Sequence, residues 1–162
     1  MFKFFFLLCF ALFFSTTFAA GICPGTDLTD ELRKTIVDLH NQLRSELAQG
    51  KSLMKNGKYA PPAKNMYKMR YDCCLEATAQ SVAETCVMKH SKHECRNSGE
   101  NLWALGSSKS DPKKNIPDAL KGWWSELAEH GTFEKVPRYQ NDVGHWAAMA
   151  WAESIAVGCG FK

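Results

Sequence analysis

The chain has 162 residues, 45% of them hydrophobic, with 20 basic against 17 acidic side chains and a formal charge of +3. That length is about one domain's worth, and a charge so near neutral gives no argument for nucleic acid or an anionic membrane as a partner. The first residues must be set aside before any fold is considered. Lys3 is the only charge before an unbroken apolar run from Phe4 to Phe14, and Ser15, Thr16 and Thr17 lead to Phe18-Ala19-Ala20. A positive start, a short apolar segment and a small-residue exit are the layout of a secretory signal peptide over residues 1–20. The run is too short for a bilayer span, which needs roughly 20 apolar residues. No second apolar stretch of that length follows, so an exported, extracellular product without a transmembrane anchor is expected. It consists of a single domain over residues 21–162 with 19 basic and 17 acidic residues.

Cys9 leaves with the leader, and Cys23, Cys73, Cys74, Cys86, Cys95 and Cys159 remain. In an exported chain this density reads as disulfides. Six cysteines allow fifteen pairings, and spacing does not choose among them. Adjacent Cys73 and Cys74 are a strained combination and are not expected to bond each other. No Asn-x-Ser/Thr acceptor occurs, so N-glycosylation is not expected.

Cys23-Pro24-Gly25 is a turn-rich lead-in. Thr29 can cap a helix whose first turn carries Asp30 and Glu31, suited to the positive helix start. Leu32, Ile36, Leu39, Leu43 and Leu47 then keep helical spacing, and Gly50 can stop it. His40, at the edge of that stripe, reads as a partly buried structural histidine. Residues 50–72 form a loop punctuated by Gly50, Gly57, Pro61 and Pro62; its lysines read as a solvated surface. A second helix is expected from about Leu75 to Lys89, with Leu75, Ala79, Val82, Ala83, Cys86 and Val87 inward. Gly99-Glu100-Asn101-Leu102-Trp103-Ala104 follows as the start of a strand, and 106–114 as a loop. A third helix is expected from Pro117-Asp118 to Gly131, with Ala119, Leu120, Trp123, Trp124 and Leu127 on its apolar arc and Glu126 at the margin. Residues 144–151 are aromatic and alanine-rich, and Ile155 to Phe161 reads as a strand. There is no internal repeat and no interdomain linker.

Four residues are candidates for chemistry. His90 falls at the expected end of the second helix, where the dipole favours imidazolium. Glu100 sits beside Gly99, where a backbone can approach closely. Glu126 is a carboxylate at the edge of an apolar face. His145 lies between Gly144 and Trp146 in an apolar segment. Rival groupings are His90, His93 and Cys95 as a compact zinc cluster, and Glu126 with His130, four apart on one helix face. In the first, Cys95 is better used in a disulfide; in the second, helix capping explains His130. Ser91, Ser98 and Ser125 lie near the candidates, but none stands in Gly-x-Ser-x-Gly, and His-Glu-x-x-His is absent. Nothing points to an enzyme.

Several strings occur together in order: Tyr71-Asp72-Cys73 with Leu75-Glu76 and Ala79-Gln80, Lys89-His90-Ser91, Gly99-Glu100-Asn101-Leu102-Trp103, Trp123-Trp124-Ser125-Glu126, and Gly144-His145-Trp146-Ala147-Ala148-Met149-Ala150-Trp151. Together they resemble the CAP (SCP) superfamily of cysteine-rich secretory proteins, venom allergens and pathogenesis-related proteins. Cys23-Pro24-Gly25, Leu39-His40-Asn41 and Asn65-Met66-Tyr67-Lys68-Met69 look closest to nematode venom-allergen-like, activation-associated secreted proteins. The resemblance implies an α+β, disulfide-stapled α-β-α sandwich with a small antiparallel sheet between helices. It also implies a cleft lined by a metal-binding tetrad, here His90, Glu100, Glu126 and His145. Zinc or another divalent ion is the implied cofactor, not a required one, and two imidazoles with carboxylates suit a first-row metal. The implied function is a secreted, non-enzymatic binding or effector protein, an excreted antigen or host modulator. Its implied partners are a host protein or a small lipid or sterol, and it would be a monomer or weak dimer. The alternative is a metal-assisted hydrolase in which an ion activates water and a tetrad glutamate is the base. Three departures from the family pattern stand out: Ala147 replaces a hydroxyl residue behind His145, Cys74 is an extra cysteine, and the family normally continues past Gly158-Cys159-Gly160 into a further strand. On that comparison the last strand is missing, and Cys74 and Cys159 are the two leftover thiols.

Overall fold

Thr29 starts the first helix as expected: its hydroxyl accepts from Leu32 N at 3.3 Å, and α1 runs Asp30–Ala48. The computed structural model describes residues 23, 27–92, 98–106, 111–133 and 141–162. The signal peptide, Cys9, His93 and Cys95 lie outside these residues, so the zinc grouping of His90 with His93 and Cys95 does too. After α1 come β1 (Arg70–Tyr71), α2 (Cys73–Ala83), α3 (Pro112–Glu129), a 3-10 turn (Asn141–Val143), α4 (Gly144–Ala150) and β2 (Ala156–Val157). The α+β class is as expected. The pairing within the sheet is not: β1 and β2 run parallel, with Arg70 opposite Ala156 and Tyr71 opposite Val157. Parallel neighbours need a long crossover, and here α2, α3 and α4 all lie between the two strands in sequence.

Three element boundaries differ from the periodic reading. α2 stops at Ala83, not Lys89. Thr85 Oγ1 donates to Val82 O at 2.7 Å and accepts from Val87 N at 3.2 Å, and Cys86 takes φ +52°, so the chain leaves the helix there. Val87 is consequently exposed, and the buried positions of α2 are Glu76 and Gln80. α3 starts at Pro112 behind the Asp111 cap, with Pro tolerated at the first position; Pro117 is inside the helix, where it forfeits one backbone bond. Burial of Asn115, Ile116, Ala119 and Leu120 around it holds the helix together. The 99–104 stretch has no ladder partner among the described residues. It is strapped to the helices by side chains instead: Trp123 Nε1 donates to Leu102 O at 3.1 Å, and Trp103 lies so close to Gly122 that a Cβ there would meet its ring at 2.7 Å.

Two apolar clusters fill the interior. Leu32, Ile36 and Leu43 of α1 meet Ile116 and Leu120 of α3 and Met149 of α4. Leu47, Met54, Ala60, Leu127, Val143 and Trp146 make the second. Between them lies Arg44, 1% exposed. Its guanidinium donates to five carbonyl oxygens: Tyr67 (2.6 Å), Met149 (2.7 Å), Trp151 (2.8 Å), Ala152 (3.2 Å) and Ser154 (3.1 Å). A second buried arginine, Arg33, grips Glu76 of α2 through two 2.8 Å bonds, and Tyr71 OH donates to the same carboxylate at 2.6 Å. That bidentate fork ties α1 to α2 and β1. Asn41 completes the set by bonding both the N–H and the C=O of Met69 (2.7 and 2.9 Å), as a strand neighbour would.

Beyond β2 the chain presses against α2. A Cβ on Gly158 would stand 2.2 Å from Glu76 N, and one on Gly160 2.4 Å from Gln80 N, so only glycine fits either place. Gln80 then pairs with the backbone N–H and C=O of Phe161 (3.0 and 3.2 Å). Cys23 and Cys73 form a disulfide with Cα atoms 5.3 Å apart, joining the lead-in to the first turn of α2. Cys74 and Cys159, the expected leftover pair, have no disulfide partner among the described residues, and neither has Cys86. Burial, with Glu76 nearby, pushes the Cys159 thiol up to about 12.

Two consequences are measurable. Arg44→Lys keeps the charge but has three donors instead of a planar fork of five. It should lower unfolding free energy in denaturant by about 2 kcal/mol, and Arg44→Met, which removes the donor shared by all five carbonyls, by about 3–5 kcal/mol. A loss below 0.5 kcal/mol in both would contradict the assigned role. His40 is 5% exposed, with Nδ1 2.8 Å from Ile36 O. Burial holds its pKa below the ordinary 6.5, and the Arg44 charge adds to the effect. The unfolded chain therefore takes up this proton first, and the stabilisation is lost as pH falls below about 6.5. Unfolding midpoints measured from pH 7.5 to 5 should fall, and His40→Gln should flatten that slope.

Candidate functional site

The four candidate residues form two His–Glu pairs. In the first, His90 Nδ1 lies 2.7 Å from Glu100 Oε1. The same carboxylate accepts from Ser91 N at 3.0 Å and Ser91 Oγ at 2.8 Å. Glu100 is the more shielded partner, its side chain 12% exposed against 53% for His90. His90 is not at a helix end, since α2 stops seven residues earlier. The carboxylate holds its ring, not the dipole.

In the second pair, His145 Nδ1 lies 2.5 Å from Glu126 Oε1, and Glu126 Oε2 accepts from Trp146 N at 3.0 Å. α4 begins at Gly144 with no side-chain cap from Val143. Glu126, reaching across from α3, therefore satisfies a donor in the first turn of α4 and places negative charge at its positive end. The margin position of Glu126 on the α3 arc is what aims it there. Trp123, one turn earlier on α3, lies against the His145 ring with centroids 6.1 Å apart and planes 17° apart. Asn101 Nδ2 donates to His145 O at 3.0 Å. Ala147 packs against the second apolar cluster.

The chemistry of each pair is the same. An ionised carboxylate only accepts, so it selects the ring tautomer with the hydrogen on Nδ1, and Nε2 keeps the free lone pair. Each glutamate is thus an orienter of an imidazole. Among the described residues no group of three or more His, Cys, Asp and Glu side chains gathers as a metal site. The ligating atoms on offer are the two Nε2 nitrogens.

The rival grouping of Glu126 with His130 does not form. His130 is the C-cap of α3 and its Nε2 lies 3.6 Å from Glu129, its sequence neighbour, and not against Glu126. Ser125 Oγ donates to Gly122 O within its own helix (2.8 Å), and Ser91 Oγ is held by Glu100, so neither hydroxyl faces a histidine nitrogen. Trp123 was expected only as part of an apolar arc, Ser91 only as a hydroxyl outside any nucleophile motif, and Asn101 only as part of a strand. Each lies in, or next to, a string already noted, and their roles need the fold to be seen.

Alongside Glu100 runs a groove of about 1020 Å³ between α2 on one wall and α3 and α4 on the other. Leu75, Val82, Leu102, Trp123, Ala148 and Phe161 are among its apolar lining. Glu100 is the only one of the four candidates that lines it.

Comparisons with known proteins agree with this architecture. The model of the cysteine-rich secretory protein family, CAP, matches residues 37–162. The Ancylostoma secreted protein of Ancylostoma caninum is 37% identical over 146 residues; the match covers 85% of this chain but 34% of that protein. The chain therefore spans about a third of that relative's length. Among solved structures, BmVAL-1 superposes with a TM-score of 0.79 at 38% identity, covering 85% of this chain and 71% of that one. NaASP2, solved with Zn2+, gives 0.78 at 36% identity, covering 84% and 74%. With the helices, the sheet and the His–Glu strings all in family order, the chain belongs to the cysteine-rich secretory protein (CAP) family and is a secreted, venom-allergen-like member of it.

Proposed function

We propose that this chain is an exported, non-enzymatic binding protein of the effector or antigen type, and that His90 and His145 together hold a divalent ion such as zinc. One observation supports the reading above the others: both imidazoles are fixed through Nδ1 on a carboxylate, which leaves Nε2 available on each. Histidines that ligate metal commonly donate their other nitrogen to such an acceptor, which fixes ring orientation and raises basicity. A solved relative, NaASP2, contains Zn2+. With both glutamates spent as orienters, the protein supplies two nitrogens and water completes the shell. Such a site is open and of modest affinity, and it polarises its bound water without a nucleophile or free base beside it.

Zinc titration by calorimetry tests this directly. The expected result is one zinc bound per chain, no binding in His90→Ala/His145→Ala, and a roughly 10–100-fold loss in Glu100→Gln. Binding that survives the double histidine substitution removes the site.

The groove supports a second element of the same reading, an apolar ligand of the lipid or sterol class. Its volume of about 1020 Å³ is at the upper end of the roughly 300–1,000 Å³ usual for small-molecule sites, and its walls are mainly aliphatic and aromatic. Val82→Trp places an indole in that space. It should weaken binding of a fluorescent sterol at least tenfold; an unchanged affinity would separate lipid from this groove.

A further inference from the structure

The basic residues of this chain are not evenly spread. From Leu47 to Tyr71 there are six, Lys51, Lys55, Lys58, Lys64, Lys68 and Arg70, and no acidic residue. The remaining residues carry 14 basic side chains against 17 acidic. All of the net positive charge therefore resides in one surface segment. Nothing in the His–Glu site or the groove uses it.

The structure gives this segment a shape. Leu53 and Tyr59 pair across an antiparallel bridge, Met54 N bonds Lys58 O (2.8 Å), Ala60 N bonds Ser52 O (2.8 Å), and Gly57 turns the tip with φ +73°. The result is a short hairpin with strand-like alternation. Ser52, Met54 and Ala60 are buried against the protein, while Lys51, Leu53, Lys55, Lys58 and Tyr59 face out. Residues two apart on one strand face are about 6.6 Å apart, so Lys51 and Lys55 flank Leu53 at even intervals. Tyr59 is 65% exposed, and Tyr67 further along is 56% exposed.

Three lysines elsewhere have carboxylate partners. Lys34 meets Asp38, Lys113 meets Glu31 at 3.2 Å, and Lys114 meets Asp118 at 3.0 Å. No ion pair is formed by Lys51, Lys55 or Lys58 among the described residues, and Lys51 Nζ has only the neutral Gln49 Oε1 at 2.7 Å. The acidic residues at the foot of the hairpin are otherwise engaged: Glu46 accepts from Gln42 at 3.1 Å, and Glu129 faces His130.

We propose that this hairpin face is a docking surface for a sulfated polysaccharide of the glycosaminoglycan type. Its evenly spaced ammonium groups are point charges that match a chain of sulfates without needing the planar fork of arginine. The exposed ring of Tyr59 offers a flat apolar face to sugar C–H edges. An anionic bilayer fits less well. Leu53 is the one aliphatic side chain the hairpin turns outward, set between lysines, while Met54 and Ala60 are packed inward and the tip is Asn56-Gly57. This proposal is independent of metal or lipid binding.

Binding of the full-length secreted chain to an immobilised sulfated octasaccharide, measured at several salt concentrations, is the test. Wild type should bind, with log affinity falling linearly against log salt as counterions are displaced. Lys51→Gln/Lys55→Gln/Lys58→Gln should bind at least tenfold more weakly, with a shallower salt slope. Lys113→Gln/Lys114→Gln should behave as wild type. Tyr59→Ala should lose affinity without changing the slope. All substitutions are at exposed positions, and unchanged thermal midpoints confirm that each variant is folded. Equal binding by the triple variant, or by a desulfated octasaccharide to wild type, overturns the proposal. So does binding to phosphatidylserine vesicles or single-stranded DNA that exceeds binding to the octasaccharide.

Discussion

A charge without a counterion organises this fold. Arg44 is 1% exposed, and no carboxylate is among its partners; five backbone carbonyls surround it instead. Three of them, Tyr67, Ala152 and Ser154, come from loop segments; Ala152 O also accepts from Tyr67 N at 3.2 Å, whereas Tyr67 O and Ser154 O have the guanidinium as their donor among the described residues. Two, Met149 and Trp151, belong to the end of α4, where the helix dipole is negative and a cation is favoured. Burial draws the guanidinium pKa down, yet arginine remains charged at any physiological pH. One side chain of α1 thereby fixes the Tyr67 loop, the end of α4 and the turn into β2. His145 rides on α4, β2 leads to the groove wall, and the basic hairpin precedes Tyr67. All three depend on where Arg44 puts them.

α1 was fully legible because its information is local: a capping threonine, acids in the first turn, and an apolar stripe at helical spacing. His40 on that stripe is the buried structural histidine expected of it. α2 was not legible in the same way. Its periodicity favoured Leu75 and Val82 as the inward face, but the deepest side chains are Glu76 and Gln80. A hydrophobic pattern cannot announce a buried carboxylate whose arginine lies 43 residues away, nor an amide paired to the last residues of the chain. The strand expected at 99–104 failed for a related reason. Its composition suits a strand, but Trp103 and Asn101 find partners on α3 and α4 before any ladder forms.

The candidate site divides likewise. The identities of His90, Glu100, Glu126 and His145 came from local arguments and family resemblance. Their arrangement in twos did not, because residues separated by 10 and 19 positions carry no periodic relation. The arrangement changes the chemistry read from the list. Four ligating side chains would form a closed, tight cage. Two imidazoles oriented by two carboxylates would instead make the proposed metal site an open one, with the acidic groups already committed. Glu126 is committed twice, since it also caps α4. Removing it disturbs a helix as well as a ring; the His145 ring in turn packs against Trp123, whereas His90 is half exposed and its substitution disturbs folding least.

α3 keeps the surfaces of this molecule apart. Its first half, Asn115 to Trp123, lines the groove, and its far end meets the hairpin through Lys55 N on Gly131 O at 3.0 Å. From Trp123 to Gly131 is about 12 Å along a helix rising 1.5 Å per residue. Glu126 sits between. A ligand in the groove therefore need not cover the lysines, and a polyanion on the hairpin need not close the groove. Sites at such a separation with no shared side chains contribute nearly additively. Coupling between them would require α3 itself to move. Leu120 and Leu127, both 1% exposed and each locked into a different core cluster, make that helix the least movable element available.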